Sequence, residues 1–310
     1  MVNQLLQTNF SKLGRIAPAE GRIAMASSGE PTLPNFLIIG AAKAGTTSLH
    51  AYLALHPQIH MSKHKELAFF DDRLRWSKGL DWYKSHFDSA YPVNGEASPQ
   101  YTIHPTVVGV PERIKQVLGS PKLIYIVRDP IDRILSEYTQ ILDLWPDARS
   151  FEMADIQSTT PYHCSCYSTQ LSHYLKLFPK ENILMLVLER LNAKPVETLQ
   201  QVFRFLGVDE KFTSPDFTRR LNTGEEKHYV APWFEKVAPQ FLQQELREPK
   251  WMPWKVNRMF HHLARIGGKE IKKPKITKDQ EGKLEEMLAH EVRGLRDFMG
   301  DSLREWRAYA

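Results

Sequence analysis

Short runs at 36–39, 93–97, 122–127 and 183–188 have strand length, and FLII and KLIYIV are apolar enough to be buried on both faces. Between and after them, apolar positions recur at helical spacing over 46–55, 106–118, 130–144, 168–178 and 192–206. Strands alternating with helices predict an α/β fold, with a central, mainly parallel β-sheet flanked by helices on both faces. Ligands on such sheets bind beyond the C-terminal strand ends. Residues 1–33, closing in ASSGEPTLP, are rich in small and turn-forming residues and predict a loose N-terminal arm. A single domain is expected over 34–310, ending in a helix and a short terminal turn within 277–306. Residues 228–277 break the pattern with a Trp- and Pro-rich insertion. From Arg247 to Lys275 it carries nine Lys or Arg against two Glu. Such a stretch is a lid or docking surface for an acidic substrate, or a solvated face.

Composition narrows the class. With 310 residues, 42% of them hydrophobic, the chain can bury a sizeable core. Its net charge of +5 favours acidic ligands or surfaces, and no motif points to nucleic acid. Cys164 and Cys166 are too close for an ordinary disulfide and too few for a structural zinc site, which fits a reducing compartment. His163, His173, His261 and His262 show no zinc spacing, so no metal is expected. No membrane span or signal peptide is recognisable, and a soluble, cytoplasmic protein is expected.

The chemistry begins at GAAKAGTTS. Gly40 and Gly45 keep the spacing of a nucleotide-binding P-loop, yet Thr46 stands where that loop has its lysine and the cation is Lys43, inside the turn. A strand, a glycine turn and a helix start direct backbone N–H groups and a partial positive charge at one point. Thr46, Thr47 and Ser48 add hydroxyl donors. This is an anion site in a P-loop-type fold.

A second anion site follows the strand KLIYIV. Arg128 ends that strand, Asp129 and Pro130 turn the chain into a helix, and Ser136 lies two turns along it. Arginine offers a planar fork matched to phosphate and serine a further donor. The alternatives are an Arg128 pair with Asp129 or Glu137, and, in an ATPase, Asp129 as a Mg²⁺ carboxylate.

With both sites in view, the chain resembles the sulfotransferases that use 3′-phosphoadenosine 5′-phosphosulfate (PAPS), most of all the heparan-sulfate type and its bacterial relatives. The matching segments, in family order, are GAAKAGTTSL, KELAFF, GEASPQY with VPERI after it, and RDPIDRILSEYTQ. Weaker similarity runs on through YSTQLSHYLKLFP, ILMLVLERL and VFRFLGV. The resemblance implies transfer of a sulfuryl group from PAPS to an acceptor hydroxyl, with PAP as product and no metal. It implies that Lys43 stabilises the leaving phosphate oxygen. It places Ala44, Gly45, Thr46, Thr47 and Ser48 at the 5′-phosphate, and Arg128 and Ser136 at the 3′-phosphate. Lys227, in LNTGEEKHY, is a further candidate phosphate ligand. Glu66 matches the family's general base, which takes the acceptor proton; its alternative is an ion pair with Lys63 or Lys65. Lys65, Glu96, Tyr101 and Tyr167 are candidate acceptor contacts, Glu96 alternatively a structural cap.

Two departures bear on the acceptor. Ala68 and Ala97 stand where heparan 3-O-sulfotransferases carry a histidine and a lysine, and the disulfide-bearing loop of those enzymes is missing. A smaller carbohydrate, a lipid-linked glycan or a carrier-bound hydroxyacyl chain serves as well as a sulfated polysaccharide. Two other readings stay open. A kinase using ATP would need a lysine after Gly45 and a Mg²⁺ carboxylate. A non-catalytic PAPS- or polyanion-binding protein would have lost the base.

Overall fold

The structure, a computed structural model, describes residues 29–144, 153, 155–218, 237–239, 263, 274–304 and 306–309. In chain order the main elements are β1 (Phe36–Gly40), α1 (Thr46–Leu53), β2 (Ile59–Met61), α2 (Gly79–Lys84), β3 (Val93–Ala97), α3 (Val110–Leu118), β4 (Lys122–Val127) and α4 (Pro130–Leu144). They continue as α5 (Thr160–Ser165), α6 (Tyr167–Leu175), β5 (Ile183–Val187), α7 (Leu188–Ala193), α8 (Pro195–Leu206) and α9 (Lys278–Gly294). The strands form one sheet in the order β2-β3-β1-β4-β5, every neighbouring pair parallel.

Side-chain alternation divides the core between the two faces. Leu37 and Ile39 of β1 pack with Leu123, Tyr125 and Val127 of β4 on one face, joined by α4, α6 and α9. Phe36 and Ile38 pack with Ile124 and Ile126 on the other, against α1 and α8. Both faces of the sheet are therefore covered, which is why its strands read as near-continuous apolar runs. After β1 the chain crosses to β2 and β3 on one side, then returns to β4 on the other. The loops following β1 and β4 thus flank the switch point where ligands of such sheets bind.

Several boundaries differ from the expectation. Helix α3 begins at Val110 because Gly109 adopts φ 75° as its N-cap and Pro111 occupies the first turn. Strand β2 was not anticipated, since three edge residues are too few to display an alternation. The end of the expected arm is anchored: Glu30 N–H donates to Ser89 Oγ at 2.8 Å and Pro31 bridges to Asp88. Residues 1–28 lie outside the described residues, as do Lys227 and nearly all of the basic stretch 228–277. The closing helix α9 starts on a capping box, Thr277 and Gln280 each satisfying the other's backbone N–H. No described helix is long and apolar enough to cross a membrane.

Candidate active site

Loop 41–45 leaves the C-terminal end of β1. Gly45 caps α1 with φ 87°, a left-handed conformation that favours glycine, and a Cβ there would meet Leu188 Cδ1 at 2.5 Å. No side chain caps α1, and its first intrahelical bond is Leu49 N–H to Gly45 O at 3.0 Å. The amides of Thr46, Thr47 and Ser48 precede that bond, as the first donors of any helix do, and they are what an anion can use. The loop is braced from behind: Ala41 N–H donates to Ile126 O at 2.6 Å. Lys43 is left-handed too, φ 68°, and its Nζ donates to Gln140 Oε1 at 2.6 Å. A left-handed non-glycine residue costs about 1–2 kcal/mol, so the cation's position is held against a local preference.

Helix α4 supplies the other wall. Arg128 precedes it and faces Asp132 across 3.6 Å, in place of the Asp129 or Glu137 pairing weighed above. Asp129 caps α4 by accepting from Asp132 N–H at 2.9 Å and is clasped by Arg307, whose Nη2 lies 2.9 Å from its Oδ1. That carboxylate is thus engaged with the C-terminal segment and does not present itself to a Mg²⁺ ion. Ser136 stands two turns along α4, half-buried. Sequence reasoning missed Arg133, which is fully buried and donates to Glu137 Oε2 at 2.5 Å, Ser165 Oγ at 2.5 Å, Pro161 O, and Ala42 O at 3.3 Å. It ties loop 41–45 to α4. The spacing of Arg133 and Glu137 reads as an ordinary surface pair, and only its burial reveals the role. Gln140 was missed too, though it lies one turn beyond Ser136.

Glu66 lies in the segment between β2 and β3, at φ 62°, with Ala68 at φ 49°. Its side chain is 12% exposed and receives Lys65 Nζ on Oε1; Lys65 is itself buried, not turned to solvent. The segment is held on both edges. Arg75 Nη1 donates to Glu66 O at 2.6 Å and Leu67 O at 2.7 Å. Glu66 N–H donates to Ala97 O at 2.9 Å, Ala68 N–H to Ser98 Oγ at 2.9 Å and Phe70 N–H to Tyr101 OH at 3.3 Å. Since Ala97 is the register partner of Ile38, the segment carrying Glu66 and the loop carrying Lys43 sit one strand apart at the same sheet edge.

Three expected acceptor contacts are buried instead. Glu96 is 0% exposed and accepts from Tyr83 OH and Tyr101 OH at 2.8 Å each and from Ser98 Oγ at 2.6 Å. Burial pushes its carboxyl up, while those hydroxyls and the Arg75 charge act the other way. Tyr101 is therefore a partner of Glu96. Tyr167 donates to Arg128 O at 2.9 Å and supports the strand end from beneath. The side-chain oxygens of all three are paired within the protein, as buried polar groups usually are. Cys164 and Cys166 are unpaired, buried thiols whose pKa values burial raises. Among the described residues no group of three His, Cys, Asp or Glu could hold a metal ion.

The family model described as "Sulfotransferase domain" matches residues 33–296, a span that holds both anion sites and Glu66. The chain belongs to the sulfotransferase family. Heparan sulfate glucosamine 3-O-sulfotransferase 5 of Mus musculus is 34% identical over 195 residues, covering 58% of this chain and 55% of that protein. Heparan sulfate glucosamine 3-O-sulfotransferase 3B1 of Mus musculus is 32% identical over 258 residues, covering 76% of this chain and 65% of that protein. The chain thus spans between about half and two thirds of the length of these relatives. A solved sulfotransferase from Alicyclobacillus acidocaldarius shares the fold, with a TM-score of 0.59 at 22% identity, over 86% of this chain and 95% of that one. The sulfotransferase assignment agrees with the four ordered motifs read above.

Proposed function

We propose that the protein transfers a sulfuryl group from PAPS to an acceptor hydroxyl, with Glu66 as general base. What carries this reading is the pairing, across one strand at the sheet edge, of a lysine-bearing anion loop with a carboxylate held in left-handed backbone. The residues fit a nucleotide with two separated phosphates. The amides of Thr46, Thr47 and Ser48 suit the 5′-phosphate, and Arg128, with Ser136 along α4, suits the 3′-phosphate. When bound, PAPS supplies the activated sulfuryl group. Glu66 has one oxygen engaged by Lys65, which leaves Oε2 to take the acceptor proton as the acceptor oxygen bonds to sulfur. Lys43 meets the charge that gathers on the phosphate oxygen as its bond to sulfur breaks. A kinase reading is less well supported, since Asp129 is clasped by Arg307 and Thr46 replaces the lysine after Gly45.

For the acceptor we favour a carbohydrate, a lipid-linked glycan or a carrier-bound hydroxyacyl chain. Ala68 and Ala97, both buried, put methyl groups where heparan 3-O-sulfotransferases carry a histidine and a lysine. The test is sulfate transfer from PAPS to a panel of heparan oligosaccharides, glycolipid head groups and hydroxyacyl thioesters, read by mass spectrometry with and without EDTA. Glu66→Gln should slow transfer roughly 10²–10⁴-fold while leaving PAP affinity unchanged. Undiminished turnover by that variant would remove Glu66 from the mechanism, and transfer abolished by EDTA and restored by Mg²⁺ would favour the kinase reading.

A further inference from the structure

Glu96 has no part in the transfer just described, yet it is a buried carboxylate on which three hydroxyls converge. Two of those hydroxyls do double duty. Ser98 Oγ and Tyr101 OH each have a single proton, and each directs it at Glu96, at 2.6 Å and 2.8 Å. A hydroxyl whose proton is committed presents only lone pairs elsewhere. Those lone pairs accept Ala68 N–H at 2.9 Å and Phe70 N–H at 3.3 Å. The alternating amides of residues 66, 68 and 70 are therefore all received from the β3 side, the first by Ala97 O and the next two by hydroxyls that Glu96 orients. Tyr83 OH completes the shell at 2.8 Å.

We propose that Glu96 is a positioning residue for the base: acting through Ser98 and Tyr101, it sets the polarity of the hydrogen bonds that hold the 66–70 segment and hence the place of the Glu66 carboxylate. The physical need is plain from the backbone. Glu66 and Ala68 both adopt left-handed conformations that non-glycine residues avoid, and such conformations persist only where surrounding contacts over-determine them. Arg75 grips the carbonyl edge of the segment and the Glu96 network the amide edge. Without the network a segment that prefers another conformation has one edge released. The effect on turnover comes from the position of Glu66 and not from contact with the acceptor, because Glu96 and Ser98 are both fully buried.

This inference rests on Glu66 being the base, and its test separates the two ideas. The first readout needs no acceptor: hydrogen exchange of the amides of residues 66–70 in the full chain saturated with PAP. In Ser98→Ala these amides should exchange at least roughly tenfold faster while PAP affinity stays within about twofold. Glu96→Gln, which offers a donor where an acceptor stood, should do the same; should it fail to fold, Ser98→Ala and Tyr101→Phe carry the test. The second readout is PAP release from PAPS with the acceptor panel. Ser98→Ala should lower kcat roughly 10- to 100-fold, as a small misplacement of a reacting group does, with the acceptor KM little changed. Added to Glu66→Gln, the same substitution should cost nothing more. Unaltered exchange in Ser98→Ala, or a loss that simply multiplies with that of Glu66→Gln, would overturn the positioning role. Full turnover by Glu66→Gln would instead sink the base, while the exchange measurement still decides whether Glu96 holds the segment.

Discussion

At the scale of single residues, the site region is built from groups whose ordinary behaviour has been altered by burial. His50, on α1, shows this most simply. Its pKa is lowered to about 4, first by burial and then by the charge of Lys65, while its hydrogen bond to Ser62 O acts the other way. The neutral ring donates Nε2–H to that carbonyl at 3.2 Å. Between pH 6.5 and about 4 the unfolded chain binds a proton that the folded one refuses, so this residue makes stability fall as the pH drops through that window. Glu96 slopes in the opposite sense, because its carboxyl is pushed up and holds a proton more readily folded than unfolded. Urea midpoints measured from pH 7 to 4 should therefore decline less steeply in His50→Gln, whose amide can still reach Ser62 O, than in the parent chain. Identical slopes would show that His50 titrates normally. The catalytic candidates were legible at this scale by type and neighbourhood, Lys43 and Glu66 above all. Their supporting partners were not, because Arg133, Ser98 and Arg75 look in sequence like any polar residue.

At the scale of elements, α4 links the two candidate anion sites. Arg128 and Asp129 sit at its start, Arg133 in its second turn and Gln140 near its far end, so one helix touches the strand end, Ala42 O and Lys43 Nζ together. Arg133 is the pivot. Replacing it with methionine would leave Glu137, itself buried, without its ion-pair partner, a change that costs about 3–5 kcal/mol. Arg133→Met/Glu137→Leu should regain most of that stability by denaturant titration, since an apolar pair of similar volume is often no less stable. It should not regain PAP affinity, because Ala42 O still lacks its donor. Equal recovery of both would mean that Arg133 supports the fold without shaping the phosphate loop. The extent of α4, 130–144, was readable from its apolar period and the proline at its first position. Helix α6 and the α7–α8 pair were readable only approximately: Cys166 breaks the chain before α6 with no glycine or proline beside it, and at the second break, which Pro195 does mark at the first position of α8, the apolar period runs on across it.

At the scale of the whole molecule, the switch point between β1 and β4 brings together two candidate anion-binding strand ends separated by more than eighty residues in sequence. If both serve one nucleotide, PAP should raise the melting temperature more than AMP does at equal concentration, because only PAP has a phosphate for Arg128 and Ser136. A tenfold affinity difference corresponds to about 1.4 kcal/mol at saturating ligand. Arg128→Ala should shrink the PAP shift toward that of AMP and leave the AMP shift as it was. Equal shifts with both nucleotides in the parent chain would reject a second phosphate site at β4. The C-terminal segment belongs to the same assembly, since Arg307 reaches back to Asp129, Asp132 and Glu281 and joins the start of α4 to α9.

The alternation of four of the five strands with helices, the parallel sheet, the glycine turn and the four motifs were determined by the sequence itself. Each depends on short-range pattern: apolar period, the freedom of Gly45, the fixed φ of a proline. Tertiary structure decided which polar residues are paired with one another inside the protein. Glu96, Tyr101 and Tyr167 are candidate acceptor contacts in sequence because they are polar residues within the segments that carry the resemblance, Glu96 alternatively a structural cap. The fold instead buries them, and a buried polar atom must find its partner inside the protein. Asp129 could not be told from a metal ligand until Arg307, 178 residues away, closed on it. Spacing along the chain carries the first kind of information; only packing, which joins residues distant in sequence, carries the second.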